Sequence, residues 1–346
     1  MKSAVLHAIG DLRYEDTHTP KTGQGEALLK VKASGVCGSD IPRVMKKGTY
    51  SFPLIPGHEF AGEVVEIGEN ESCPVKIGDR VAVFPLIPCG KCIYCQIGEY
   101  AQCDDYDYLG SRRDGGFAEY VVAPIENLVP VPDNVDFECA AMTEPASVAL
   151  HALRRTGVDA GDNVVILGAG TIGIILAQWA KICGAGRVFV TDISQDKLKV
   201  AMDYGLSCIN SMQEDPVDRI IKETEGKGSD ISIEAAGSPI TFEQSLRMTR
   251  KLGKVILMGN VSGDVVIPER TASIILRSQL VIYGTWNSSI TSIPKNEWLT
   301  SLHFMSSGAL NLKPLITHRF PLSEANKAFD MMYNKREFFN KVMFVF

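Results

Sequence analysis

From Glu26 to Pro124 apolar and polar positions alternate in short bursts. The segments EALLKVKASGVC, EFAGEVVEIG, GDRVAVFPL and GGFAEYVVAP carry β-branched or alternating apolar residues bounded by glycine and proline, the pattern of strands in a sheet. They predict a β-rich domain, curled or barrel-like, over roughly the first 150 residues. At Phe137 the texture changes: FECAAMTEPASVALHALRRTG is rich in alanine and leucine at helical spacing. From Asp162 a third rhythm begins. NVVIL reads as a strand, GAG as a turn, TIGIILAQWAKI as an apolar-faced helix and RVFVTD as the next strand. The alternation continues with helices in DKLKVAMDYG, DRIIKETEG and ITFEQSLRMTR and strands in CIN, DISIEAAG and GKVILMG. Strands and helices alternating at this length predict a parallel sheet with helices on both faces.

Beyond about Asn287 the rhythm breaks into a mixed tail ending in the apolar KVMFVF. It shows no core of its own and is expected to return to the first domain. The run SIILRSQLVIYGTW, Ser273–Trp286, reads either as an edge strand open to pairing between subunits or as a buried strand.

The chain has 346 residues, 45% of them hydrophobic and 22% charged. That length argues for two domains. A net charge of −6 speaks against a nucleic-acid partner. The first twenty residues hold neither an apolar signal core nor a cleavage site, and no window is apolar enough to span a membrane. A cytoplasmic setting is expected, and there dense cysteine more often means metal than disulfide.

Two sequence features bear on chemistry directly. The first is LGAGTIG, which places Gly168, Gly170 and Gly173 in G-x-G-x-x-G spacing between a strand and a helix. Gly168 permits the tight turn, Gly170 the approach of a pyrophosphate and Gly173 close helix–strand packing. Thr171 and Ile172 open the helix whose N-terminus faces the phosphates. Asp192, nineteen residues after Gly173, is placed to accept from ribose hydroxyls and would repel a 2′-phosphate, so NAD is expected over NADP.

The second is a pair of metal-ligand patterns. Cys89, Cys92, Cys95 and Cys103 follow C-x2-C-x2-C-x7-C; four thiolates saturate Zn²⁺ and mark a structural site, with an iron–sulfur cluster as the alternative. A sparser set comprises Cys37, Ser39, Asp40, His58, Glu59 and Glu144. One Cys, one His and one Glu would leave a fourth zinc position open, as catalysis requires.

Together GVCGSD, PGHEFAGEVVEIG, GDRVAV, the four-cysteine lobe, EPASVALHA, GAGTIG and Asp192 resemble the zinc-dependent medium-chain dehydrogenase/reductase family across nearly the whole chain. The resemblance implies an α/β fold: a GroES-like β-rich catalytic domain, residues 1–155 and 288–346, with a structural-zinc lobe at 85–105, and a Rossmann NAD-binding domain at 156–287. It implies two Zn²⁺ per chain. Cys37 and His58 match the catalytic zinc ligands, and Glu59 and Glu144 the two carboxylates that bind the metal directly or through water. Ser39 matches the hydroxyl that relays the alcohol proton, and Asp40 the carboxylate that orients the histidine. Relatives are usually dimers or tetramers, so a homo-oligomer is expected.

SDIPRVMKKG, YDYLGSRRDGGFAEYVV and YGTWNSS are similar to the polyol-phosphate branch, with substrates of the galactitol-1-phosphate type. A phosphate needs a cationic seat. Arg112 and Arg113 are candidates, with Arg43 and Lys46 behind them. Against this stands the reading of both arginines as surface residues, one paired with Asp114. The rival functions are a dehydrogenase of an unphosphorylated polyol or of threonine, a non-catalytic NAD- and zinc-binding redox sensor, and a thiol oxidoreductase using Cys92 and Cys95. That last pair lacks the strand-to-helix setting of such enzymes.

Overall fold

Strand Glu26–Val36 runs through the centre of a seven-stranded sheet, six of whose strands follow the order Ile316–Pro321, Lys341–Val345, Glu26–Val36, Glu59–Ile67, Arg80–Val83, Leu128–Pro130, with Tyr120–Pro124 joined to the long strand off this row. One edge of the long strand is taken by Glu59–Ile67. The other is shared: its first half pairs with Tyr120–Pro124 and its second half with Lys341–Val345, all antiparallel. In the computed structural model, which describes residues 1–69 and 74–346, this sheet belongs to a unit formed by Met1–Ser147 and Ser288–Phe346. The tail therefore contributes two strands to the sheet, explaining its lack of a separate core.

Alternation along these strands separates two apolar faces. Leu29, Val31, Phe60, Val64, Val81, Val83 and Val121 form one cluster. Val5, Leu6, Val36, Phe117, Phe329 and Phe344 belong to another, in which the Phe117 and Phe344 rings meet edge to face at 4.9 Å. Each such buried ring stabilises the unit by about 1.5–3 kcal/mol, so the helix Ala325–Tyr333 that carries Phe329 is held by packing rather than by propensity.

The second unit, Val148–Asn287, is a parallel six-stranded sheet in the order Ser207–Asn210, Arg187–Asp192, Asn163–Leu167, Ser229–Glu234, Thr249–Leu257, Val281–Gly284. Parallel neighbours require crossovers, here the helices Thr171–Ile182, Gln195–Asp203, Pro216–Glu223, Pro239–Met248 and Glu269–Ser278. NVVIL is buried over its last four residues, as a strand covered on both faces must be. The direction of winding reverses on either side of Asn163–Leu167, the point where such sheets open a crevice for ligand.

Two local expectations are corrected. The predicted helix from Phe137 breaks at Met142 into Phe137–Ala141 and Thr143–Thr156, and the division between the units, Ser147/Val148, lies inside the second. Ser273–Trp286 is not one strand. Its first part belongs to helix Glu269–Ser278, which ends at Gln279 in the left-handed region, φ +49°; only Val281–Gly284 is extended. Among the described residues no helix is long and apolar enough to cross a membrane.

Candidate active site

Adjacent strands assemble the mixed metal site. Cys37 directly follows Glu26–Val36. Glu59 opens the neighbouring strand opposite Gly35, with His58 immediately before it. One ligand atom from each of Cys37, His58 and Glu59 lies within 4.8 Å of the others, and His58 and Glu59 are buried. Asp40, fully buried, holds this corner together. Its Oδ2 accepts from the Cys37 amide at 3.1 Å, its Oδ1 lies 3.4 Å from His58 Nδ1, and Arg43 donates to the same Oδ1. Asp40 thus faces Nδ1 and leaves His58 Nε2 for a metal. Ser39 caps the short helix Asp40–Pro42 through its backbone, and its hydroxyl makes no capping bond. Glu144 is not in the converging set found among the described residues. It is buried in the first turn of Thr143–Thr156, where its Oε1 accepts from the Tyr108 hydroxyl at 3.5 Å.

Cys89, Cys92, Cys95 and Cys103 also converge within 4.8 Å. Cys89 and Cys95 sulfurs are 3.9 Å apart and those of Cys92 and Cys95 3.5 Å. A disulfide needs about 2.0 Å, whereas four sulfurs at about 2.3 Å around one tetrahedral ion stand about 3.8 Å apart. The amides of Cys89 and Cys95 donate to Cys103 and Cys92 sulfurs at 3.2 and 3.5 Å, a stabilisation that thiolates need. Amides of Asp104 and Cys95 lower the Cys92 thiol to about 6.

In the parallel sheet, the turn after Asn163–Leu167 depends on its glycines in different ways. Gly168 has φ +118°. A Cβ on Gly173 would lie 1.8 Å from the Gly168 carbonyl oxygen, while one on Gly170 would meet nothing within 4 Å. Gly170 thus leaves open space at the N-terminus of Thr171–Ile182, beside the first-turn amides of Thr171 and Ile172. Asp192 ends its strand with Oδ2 accepting from Ala169 N and Oδ1 from Ser194 N, each at 2.8 Å. The carboxylate is locked beside the glycine turn.

The candidate arginines differ sharply. Arg113 is exposed and paired with Asp107 at 2.9 Å and Glu26 at 3.3 Å. Asp114 pairs with neither arginine; its Oδ1 accepts from Ile55 N at 2.8 Å. The Arg112 guanidinium lies between the rings of Tyr50, at 4.5 Å, and Tyr106, at 4.3 Å. Its Nη1 donates to the Tyr106 carbonyl at 3.2 Å, its Nε is buried without a partner, and among the described residues no carboxylate pairs with it. Arg43 is committed to Asp40, and Lys46 is exposed.

Comparison with known proteins agrees with this geometry. Residues 23–133 match the alcohol dehydrogenase GroES-like domain family and residues 171–307 the zinc-binding dehydrogenase family. The chain belongs to the zinc-dependent medium-chain dehydrogenase/reductase family. It is 36% identical to galactitol 1-phosphate 5-dehydrogenase of Escherichia coli (strain K12), over 92% of each chain. It is 32% identical to sorbitol dehydrogenase of Bacillus subtilis (strain 168), over 95% of this chain and 93% of that one. The crystal structure of galactitol-1-phosphate dehydrogenase from Escherichia coli superposes with a TM-score of 0.94 at 34% identity, covering both chains fully.

The charges inside this dehydrogenase suit a divalent cation. Burial disfavours a charged His58, yet Asp40 and Cys37 outweigh it and hold the imidazole well above its ordinary range. Burial pushes Glu144 up to about 7; His58 and Lys341 pull it back, and the Glu59 charge adds to the rise. Cys37, His58 and Glu59 are chemically suited to a dication, whose binding would displace protons from such ligands. Lys341 and Tyr108 escape sequence reading. Lys341 is buried on Glu59, and its only signal is a lysine heading an apolar run. The Tyr108 ring stands 5.8 Å from His58, in the two-residue strand Asp107–Tyr108, too short to carry a periodic mark.

Proposed function

We propose that this dehydrogenase oxidises a secondary alcohol of an acyclic polyol phosphate, of the galactitol-1-phosphate type, to the ketose phosphate with NAD as acceptor. The observation that carries the substrate class is Arg112, a guanidinium set over two tyrosine rings, with no carboxylate paired to it among the described residues. In this reading Cys37, His58 and Glu59 hold the catalytic zinc, and the four-cysteine lobe holds a second, structural one. When bound, zinc supplies Lewis acidity to the substrate hydroxyl and NAD supplies the hydride acceptor.

The remaining work falls to the chain's own groups. Ser39 takes the hydroxyl proton and passes it towards solvent. Asp40 fixes the tautomer and direction of His58. Tyr108 orients Glu144, the second carboxylate available to the metal. The Gly168–Gly173 turn seats the pyrophosphate and Asp192 the ribose, favouring NAD. Arg112 grips the substrate phosphate with its free edge; Arg113, engaged by Asp107 and Glu26, takes no such part. The enzyme is taken to act in the cytoplasm as a homo-oligomer. Strand Val281–Gly284 lies at a sheet edge with Val281 and Ile282 exposed, a surface suited to pairing with a second copy.

NADH formation on galactitol-1-phosphate against galactitol, and glucitol-6-phosphate against glucitol, with threonine alongside, tests the reading. A kcat/KM preference of at least about a hundredfold, about 2.7 kcal/mol, is expected for a phosphorylated member. Equal or better turnover of free polyols refutes the phosphate assignment and favours the sorbitol-type reading that the Bacillus relative supports.

A further inference from the structure

Lysine is almost never fully buried without a partner, and Lys341 is 3% exposed. Its Nζ donates to Glu59 Oε2 at 2.5 Å and to the Val36 carbonyl at 3.1 Å. The two charged residues come from strands on opposite sides of Glu26–Val36, and they meet across it. The residue at the crossing is Gly35, which pairs with Met343 on one side and Glu59 on the other. A Cβ there would stand 2.4 Å from Glu59 Oε2. Gly35 is not in the left-handed region, so its missing side chain matters for space: it is the passage through which lysine and glutamate touch.

We infer that Lys341 is a positioning residue that restrains Glu59 from engaging the metal with both oxygens. The inference rests on the reading of Cys37, His58 and Glu59 as the zinc site. A carboxylate binds a cation through one oxygen or two. The ammonium on Oε2 leaves Oε1 alone for the metal and offsets the carboxylate charge. Released from Lys341, Glu59 turns wholly to the metal and fills the position a substrate hydroxyl needs. Lys341 thereby tunes the exchange of ligands without touching substrate.

Zinc loss from full-length holoenzyme to excess chromogenic chelator tests this, in wild type, Lys341→Met, Gly35→Ala and Cys37→Ser. Cys37→Ser identifies the zinc phase belonging to the mixed site. Gly35→Ala keeps both charges and displaces only the end of a flexible side chain, so it decides the matter even if Lys341→Met fails to fold. Release from the mixed site is expected to slow about tenfold in both variants, the scale of effects from groups behind metal ligands. In a Glu59→Gln background, Lys341→Met should lose that effect. Visible absorption of the cobalt(II)-substituted mixed site should weaken in both variants as coordination number rises. Faster or unchanged release in Gly35→Ala, or in folded Lys341→Met, overturns the inference and leaves the pair a structural tie. If Cys37→Ser removes no zinc phase, the site assignment falls and this inference with it.

Discussion

Replacing Arg112 by alanine separates a phosphate seat from a surface arginine. The structure sets the magnitude. The guanidinium carbon stands over the rings of Tyr50 and Tyr106, at 4.5 and 4.3 Å, and Nη1 is spent on the Tyr106 carbonyl. Recognition of an anion is thus left to the remaining edge, with room for one or two charge-assisted bonds. One such bond contributes about 1.5–3 kcal/mol, so kcat/KM for a phosphorylated polyol should fall about 10- to 150-fold. Turnover of the free polyol should stay within about twofold. Arg112→Lys keeps the charge but not the planar stack, and should lie between the two. Loss of two cation–π contacts costs about 1–2 kcal/mol of stability, measurable by thermal melting and separable from the kinetics. Arg113→Ala is the internal control: its partners are Asp107 and Glu26, so little change is expected on any substrate. The assay is initial-rate NADH formation on a phosphorylated and a free polyol in parallel. Equal losses on both substrates for Arg112→Ala, or a larger phosphate-specific loss for Arg113→Ala, would mean that Arg112 is not the phosphate seat.

Two further outcomes follow from the electrostatics. Cys103→Ser removes one of four sulfurs from the lobe. A quarter of the about 10–16 kcal/mol of a structural zinc is about 3–4 kcal/mol, so Tm should drop by about 6–16 °C and the lobe's zinc should be held about 100- to 1000-fold more weakly against a chelator; unchanged Tm and zinc affinity would sink the assignment. Asp136 and Glu138 meet Lys313 at 2.7 and 2.5 Å, and Glu138 also meets Arg319 at 2.7 Å. Burial opposes ionised Asp136 most strongly, but Lys313 and the Cys139 amide together outweigh it; Arg319 leads in lowering Glu138. Both carboxyls therefore sit below their ordinary 3.8 and 4.5. Lowered carboxylates contribute in full above those values and lose their contribution as pH falls through the folded ones. The protein should lose stability below about pH 4.5, and Glu138→Gln should flatten that slope in chemical denaturation series; an unaltered slope would contradict the network.

The readable parts of this sequence are those whose chemistry is local. The glycine turn, its flanking strand and helix, and Asp192 lie within one βαβ unit, so period and spacing expose them. The cysteine lobe is legible for the same reason. Helix Glu269–Ser278 was obscured because SIIL is as apolar as a buried strand, and nothing nearby in sequence announces the left-handed turn at Gln279. The break at Met142 is likewise invisible to an alanine-rich helical pattern. The least legible residue is Lys341: its partner Glu59 lies 282 positions away, and only the sheet order brings the two together. Arg112 and Arg113 are adjacent and chemically identical, so sequence treats them alike. Their difference lies wholly in which neighbours, carboxylates or tyrosine rings, the fold sets around each.

The placing of Lys341–Val345 beside Glu26–Val36 has a consequence for the order in which the molecule is made. Val148–Asn287 is contiguous and can fold as soon as it has left the ribosome. The flanking unit cannot be completed then. Val342 through Val345 pair with Val36 through Ala33, so a strand synthesised near the beginning waits for one synthesised near the end. Until then half of one edge of the long strand, next to Cys37, lies unpaired in the nascent chain. During that interval Val148–Asn287 is whole, while the corner that brings Cys37, His58 and Glu59 together still lacks the strand that carries Lys341.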